Sequence, residues 1–317
     1  MNTRLAIIIL HYKNYQETIA CINSALNQKG EGYEIVVVDN GSGDGSYEIL
    51  REHFKKVPHV TIKRLKKNVG FARGNNAGIR YARARFSAKN CFICNSDVIF
   101  EDTLFEELLA ACTGKAGVIS PAVYDADRTP QPLSVNMKSP YKTILFTWLY
   151  ILYKSLPKET RQKLFLRFIK LFYVVIRKEI KGIYRLHTYL KKYKSKLTPG
   201  KKAEEAAATN SSAGKEVSYR MQGCAFLLTE EYFNHYRGLY PKTFLYGEEL
   251  NVILYLKKAG LLAVTAPTSP VIHKGRQSSA MFTEKEGERR RLLLSRQSLF
   301  NSLPLLFLDS KRIGRLY

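Results

Sequence analysis

Two aliphatic runs, Leu5 to Leu10 and Glu34 to Val38, flank a stretch with helical spacing through Ile19, Ile22 and Leu26. Runs without polar alternation are buried on both faces, and two of them joined by a helix imply a parallel pair of strands. The pattern continues with a helix over Tyr47 to Phe54, a strand over Val60 to Leu65, a helix over Asn75 to Arg85 and a strand over Cys91 to Cys94. This alternation predicts an α/β fold, a mostly parallel sheet flanked by helices. Such sheets bind ligands beyond the carboxyl ends of their strands. The polar clusters fall there: Tyr12 to Asn14, Asp39 to Ser46, Asn68 to Asn76 and Asn95 to Asp97. Further on, Tyr219 to Leu228 is apolar around Gly223. Glu249 to Ala259 reads as a helix stopped by Gly260, Leu261 to Ala266 as a strand, and Glu284 to Phe300 as a basic helix.

Charge narrows the partners. Lys+Arg 51 against Asp+Glu 27 leaves a formal +24, which calls for an anionic partner. Lys154 to Lys196 holds fourteen bases and two acids, half of that excess. Within it Phe165, Phe168, Ile169, Phe172 and Ile176 share one helical face, and Lys163, Arg167, Lys170, Arg177 and Lys181 the other. Such a helix suits an anionic membrane surface. Thr198 to Lys215 reads as a linker. The expected organisation is therefore a first α/β half over residues 1–140, a basic amphipathic insertion and linker over 141–215, a second α/β half over 216–280, and a basic helix and tail over 281–317.

Other classes fit poorly. The N-terminus lacks the features of a signal peptide, and Ile144 to Tyr153 is too short to span a bilayer, which takes about 20 residues. The expectation is a cytoplasmic protein held peripherally on the inner face of the cell membrane. The five cysteines are odd in number, and Cys91 and Cys94 sit in an apolar strand with no second pair to complete a zinc site, so they read as core. Gly41, Gly43 and Gly45 lack both the spacing of a dinucleotide fingerprint and the Lys-Ser/Thr of a P-loop.

Four constellations carry chemistry. Asp39 ends a strand with a carboxylate able to accept an N–H from a nucleobase, although Asp39 and Asn40 also suit a helix cap. Asn95-Ser96-Asp97 places a carboxylate at another strand end, where a divalent cation gripping a diphosphate would need it, although Asn and Asp also favour turns. Glu248-Glu249 opens a helix after Phe244-Leu245-Tyr246-Gly247 and offers a general base, or acids favoured by the helix dipole. His273 follows Pro270-Val271-Ile272, as a metal ligand or a polar strand end.

Taken in order, these motifs resemble the inverting glycosyltransferases of family 2, with the GT-A fold, most closely the rhamnosyltransferase-like, non-processive subgroup. The residues that carry the resemblance are Val37-Val38-Asp39-Asn40-Gly41-Ser42 with Asp44-Gly45-Ser46, then Asn68-Val69-Gly70-Phe71-Ala72 with Gly74-Asn75-Asn76-Ala77-Gly78. Asn95-Ser96-Asp97, Gly223-Cys224-Ala225-Phe226, Glu248-Glu249, and His273 with Ser278 complete the set. The resemblance implies that Tyr12 and Asp39 hold the base, and that Asn68, Arg73 and Asn76 line the nucleotide and sugar side. Asn95, Ser96 and Asp97 would form the metal motif, with Asp97 and His273 as ligands of Mn2+ or Mg2+. Glu249 stands where the family has its Asp base, with Glu248 as runner-up. Asn95 in place of the first acid is usual in the subgroup, whereas Glu249 is a methylene longer than Asp and Asn251 replaces a further acid. The implied reaction is inverting, metal-dependent transfer from a nucleoside-diphosphate sugar to a glycan or lipid-linked acceptor, in bacterial surface polysaccharide assembly. The rivals are a degenerate, non-catalytic GT-A domain, a nucleotidyltransferase, which would want a glycine-rich loop in place of Leu10 to Asn14, and a nucleic-acid-binding protein. No nucleic-acid partner is expected, because the basic residues concentrate in the insertion.

Overall fold

The structure, a computed structural model, describes residues 3–131, 157, 159–160, 221–275 and 284–317. The chain divides into two compact units, Met1–Trp148 with Val217–Tyr317, and Leu149–Glu216. The expected amphipathic face from Lys163 to Lys181, the linker and Ser278 lie outside the described residues.

In the first unit, β1 (Leu5–His11), α1 (Tyr15–Leu26), β2 (Tyr33–Asp39), α2 (Ser46–Phe54), β3 (Val60–Arg64), α3 (Phe71–Phe86) and β4 (Asn90–Asn95) alternate as the aliphatic runs predict. There follow β5 (Val98–Phe100), α4 (Leu104–Ala110), β6 (Ala116–Ser120), β7 (Val123–Tyr124), β8 (Ala225–Leu228), α5 (Glu230–Phe233) and α6 (Glu248–Ala259). The described elements close with β9 (Leu262–Thr265), β10 (Val271–His273), α7 (Glu284–Ser302), a 3-10 turn (Leu303–Leu306) and α8 (Ser310–Ile313). Seven strands form one sheet in the order β3-β2-β1-β4-β8-β6-β9, parallel except for β8, which runs antiparallel to both β4 and β6. A small sheet, β5-β10-β7, sits beside it.

Register decides what gathers at one end. His11 pairs with Asp39, Leu10 with Asn95, and Asp39 with Arg64. The carboxyl ends of β1, β2, β3 and β4 therefore lie level. In the small sheet His273 pairs with Val98, which brings it beside Asp97 across a long stretch of chain. The sheet is stiffened by fully buried residues such as Ile7, Ile8, Ile9, Val36, Val37 and Phe92. Each contributes roughly 1.5–3 kcal/mol relative to exposure.

One helix begins earlier than its sequence suggests. α3 starts at Phe71, not Asn75. Asn68 Oδ1 accepts the Gly70 amide at 2.9 Å, and the Phe71 amide donates to the Phe244 carbonyl at 2.7 Å. These contacts satisfy the first turn's donors, which local propensity does not reveal. Gly70 is left-handed at φ 87°, and a Cβ there would lie 2.3 Å from the Phe244 oxygen. The glycine is thus required where the segment before α6 crosses the start of α3.

Candidate active site

The end of the sheet expected to take the base is built from β1, β2 and the turn between β2 and α2. Asp39 is fully buried. Its Oδ1 accepts from the Ser42 amide at 3.0 Å and from the Ser42 hydroxyl. Its Oδ2 has no hydrogen-bond partner and faces the Arg64 Nε at 3.9 Å. A buried carboxylate oxygen without a donor is costly, and a ligand N–H would relieve that cost. Tyr12 stands beyond the end of β1, exposed, with the Lys13 ammonium 5.5 Å from its ring centre. Lys13 and Asn14 both take positive φ, 59° and 46°, and the Lys13 amide donates to the Ser42 hydroxyl at 2.8 Å. Two left-handed residues in succession mark a turn held by its surroundings.

His11 fixes this corner. It is fully buried, with Nδ1 2.7 Å from the Thr18 hydroxyl and Nε2 2.9 Å from the Ser46 hydroxyl. Thr18 donates to the Asn14 carbonyl, and Ser46 to Asp44 Oδ1 at 2.6 Å. One imidazole therefore ties β1 to the first turns of α1 and α2. Burial pushes its pKa down, against the pull of Asp39 and Asp44. Asp44 is held below the usual carboxylate range: burial opposes this, but hydrogen bonds from Ser46 outweigh it.

Asn95, Ser96 and Asp97 turn from β4 into β5, all partly buried. The Asn95 amide donates to the Cys224 carbonyl at 2.8 Å, and the Lys274 amide to the Asp97 carbonyl at 3.0 Å. Asp97 Oδ1 stands 3.4 Å from His273 Nε2, and His273 Nδ1 lies 3.5 Å from Gln131 Oε1. Burial lowers the pKa of His273, but the neighbouring Asp97 and Cys224 more than offset it and hold the imidazole up at about 10. A carboxylate and an imidazole are donors that a divalent cation takes, provided the metal displaces the proton that Asp97 holds on His273. Among the described residues no group of three or more His, Cys, Asp and Glu is arranged to hold a metal.

The segment before α6 carries the two glutamates. Tyr246 and Gly247 are both left-handed, at φ 72° and 87°, and aim the first turn of the helix. Glu248 is buried beside Thr243, with Oε1 lacking a hydrogen-bond partner. Burial, then the charge of Glu249, push its pKa up to about 7. Glu249 lies against Gly223, where a Cβ would come within 2.0 Å of its Oε1. Burial raises its pKa as well. Gly223 precedes Cys224, which touches both Asn95 and His273, so Glu249 flanks the strand end that carries Asp97.

The remaining expected residues serve as struts. Asn68 Oδ1 also accepts from the Asn40 amide at 3.1 Å. Arg73 Nε donates to the Pro241 carbonyl at 2.7 Å. Asn76, expected to line the sugar side, is buried with both ends of its amide on the Leu239 backbone, each at 2.7 Å. Arg73 and Asn76 thereby tie α3 to the segment leading to α6. Sequence reasoning passed over His11, for which a histidine closing an aliphatic run was the available signal; Cys224 was named within Gly223-Cys224-Ala225-Phe226 but given no role. Cys91 and Cys94 are buried core thiols, as expected.

A mostly parallel sheet flanked by helices, with a buried carboxylate at one strand end and a carboxylate–imidazole pair beside another, is a mixed α/β fold of the GT-A type. Residues 6–174 match the model of the family described as Glycosyl transferase family 2. That is more than half of the 317 residues, and the chain belongs to this family. It is 28% identical over 106 residues to the uncharacterized glycosyltransferase YibD of Escherichia coli (strain K12), covering 33% of this chain and 29% of that one. It is 33% identical over 79 residues to a chondroitin synthase of Escherichia coli, covering 25% of this chain and 11% of that one. The matched stretches thus span under a third of these relatives' lengths. The crystal structure of GalNAc-T7 with UDP, GalNAc and Mn2+ shares the fold, with a TM-score of 0.52 at 12% identity over 86% of this chain and 44% of that one.

Proposed function

We propose that the chain transfers a sugar from a nucleoside-diphosphate donor to a glycan or lipid-linked acceptor, with inversion at the anomeric carbon. The observation that carries this reading is the placing of three groups about the carboxyl ends of β2 and β4. These are the unpartnered oxygen of Asp39, the Asp97–His273 pair, and Glu249 against Gly223. Asp39 Oδ2 would accept an N–H from the base, with Tyr12 against its face. Asp97 and His273 would hold a divalent cation, Mn2+ or Mg2+, whose bound charge favours the departing diphosphate. With two protein ligands, the donor's own oxygens would complete its shell.

Glu249 takes the acceptor's proton in this reading. The acceptor oxygen bonds to the anomeric carbon as the bond to the diphosphate breaks. The hydroxyl proton passes to the Glu249 carboxylate and the nucleoside diphosphate leaves. Attack opposite the leaving group inverts the centre. Burial prepares Glu249 for this, because a raised pKa strengthens a carboxylate as a base. Glu248, turned toward Thr243, sets the loop.

The family resemblance and the chondroitin synthase relative support a glycan as acceptor, and bacterial surface polysaccharide assembly on the cytoplasmic face of the membrane as the setting. The test is a panel of uridine-, thymidine- and guanosine-diphosphate sugars, scored for metal-dependent turnover. One donor should be consumed by the wild type. Glu249→Gln should bind it normally and turn it over roughly a hundredfold or more slowly. An inactive Glu248→Gln beside an active Glu249→Gln reverses the two roles, and a chain that binds none of the donors is not this enzyme.

A further inference from the structure

α7 has two unlike sides. Its inner side is bonded to the segment that leads into α6. The Ser298 hydroxyl donates to the Leu245 carbonyl and the Asn301 amide to the Lys242 carbonyl, both at 2.8 Å, while the Tyr240 hydroxyl donates to the Asn301 carbonyl at 2.6 Å. The helix thereby backs the loop that presents Glu248 and Glu249.

Its outer side carries Arg289, Leu293, Arg296 and Phe300 at i, i+4, i+7 and i+11, a single stripe along the helix. All four are exposed, Leu293 to 58% and Phe300 to 63%. Phe307, just past the helix, is 84% exposed. From Arg289 to Tyr317 the chain holds seven Lys or Arg and one acid, Asp309. Large apolar side chains left in water beside a charge of one sign mark a surface meant to be covered.

We propose that this face of α7, with Phe307 beyond it, docks on an anionic phospholipid surface. Arginine heads match lipid phosphates, and the leucine and phenylalanines lie between them at the depth of the headgroup boundary. A nucleic-acid backbone would use the arginines but leave the apolar side chains in water, so the mixture favours lipid. This face belongs to a different stretch of the sequence from the basic insertion. It gives the proposed function a surface for its membrane partner and rests on that reading only for the purpose of docking. Through Ser298 and Asn301, a docked α7 would hold the segment ahead of Glu249 next to the membrane, where a lipid-linked acceptor arrives.

The experiment is co-sedimentation of the full chain with phosphatidylcholine vesicles, with and without about a third phosphatidylglycerol, at low and physiological salt. The intact chain should bind only the anionic vesicles. Leu293→Ser with Phe300→Ser should weaken binding about tenfold or more at both salt levels. Arg289→Gln with Arg296→Gln should weaken it about tenfold to thirtyfold at low salt and less at physiological salt. Lys56→Gln with Lys115→Gln, which removes equal charge from exposed positions elsewhere, should have less than half that effect. Thermal melting confirms that each variant is folded. Donor turnover without lipid should be unchanged in both α7 variants, and this readout tests the transferase reading separately. No binding by the intact chain, α7 variants that bind like it, or a control that loses as much as they do would overturn the proposal.

Discussion

Glu248 and Glu249 are adjacent in the chain, and what surrounds each of them separates their roles. Glu249 needs the space that Gly223 leaves. Gly223→Ala should displace its carboxylate and lower turnover by at least tenfold while donor affinity stays within about twofold, since the nucleotide contacts lie elsewhere. Titration of donor binding beside single-turnover rates checks both parts. His11 acts at the nucleotide end. His11→Ala removes both of its hydrogen bonds and leaves the Thr18 and Ser46 hydroxyls with one partner fewer in the core. It should cost about 2–3 kcal/mol of stability and weaken nucleotide binding, by chemical denaturation and calorimetry. Neither role was legible from one sequence. A glycine before an apolar run and a histidine after one are ordinary; only the fold brings Glu249 to the first, and Thr18 and Ser46 to the second.

At the scale of elements, what the sequence revealed was local. The runs Leu5 to Leu10, Glu34 to Val38 and Cys91 to Cys94 are strands because nothing polar interrupts them, and α6 ends at Gly260 in the left-handed C-cap geometry its position implied. Legibility failed where an element depends on distant partners. β7 is a two-residue strand that exists by pairing with β10 across the chain, and the antiparallel course of β8 between β4 and β6 leaves no mark in composition. The early start of α3 is of this kind, since Phe244 completes it. Gly70 lies at φ 87°, ψ 175°, a region open essentially to glycine alone. Gly70→Ala should therefore cost about 1–3 kcal/mol or more in urea unfolding, and shift the segment that presents Glu249. A stable, fully active Gly70→Ala would mean that this crossing does not position Glu249.

On the scale of the whole molecule, the buried acids make stability depend on pH. The folded-state pKa of Glu248 is raised to about 7 from an ordinary 4.5. The folded chain thus holds this proton more tightly than the unfolded chain. Its stabilising contribution is complete below about pH 4.5 and is lost as pH rises through 7. Glu248→Gln stays neutral throughout. The pH-dependent part of the stability of Glu248→Gln relative to wild type should rise from roughly 1 kcal/mol at pH 5 to roughly 3 kcal/mol at pH 8, nearing the limit that 2.5 units at 1.36 kcal/mol each imply. Comparing the two proteins at each pH cancels His11 and His273, which titrate in both. A difference that does not change between pH 5 and 8 would place Glu248 in water.

All of these features bear on the arrangement proposed above: a nucleotide held by Asp39, with its diphosphate over Asp97 and His273. The most direct measurement is a calorimetric titration of uridine, thymidine and guanosine diphosphates into the full chain, with Mn2+ and with chelator, for the wild type and Asp97→Ala. The account predicts that one nucleotide binds tightly with Mn2+ and at least tenfold more weakly without it, and that Asp97→Ala binds weakly under both conditions. Equal affinity with and without the metal, undiminished in Asp97→Ala, would contradict it.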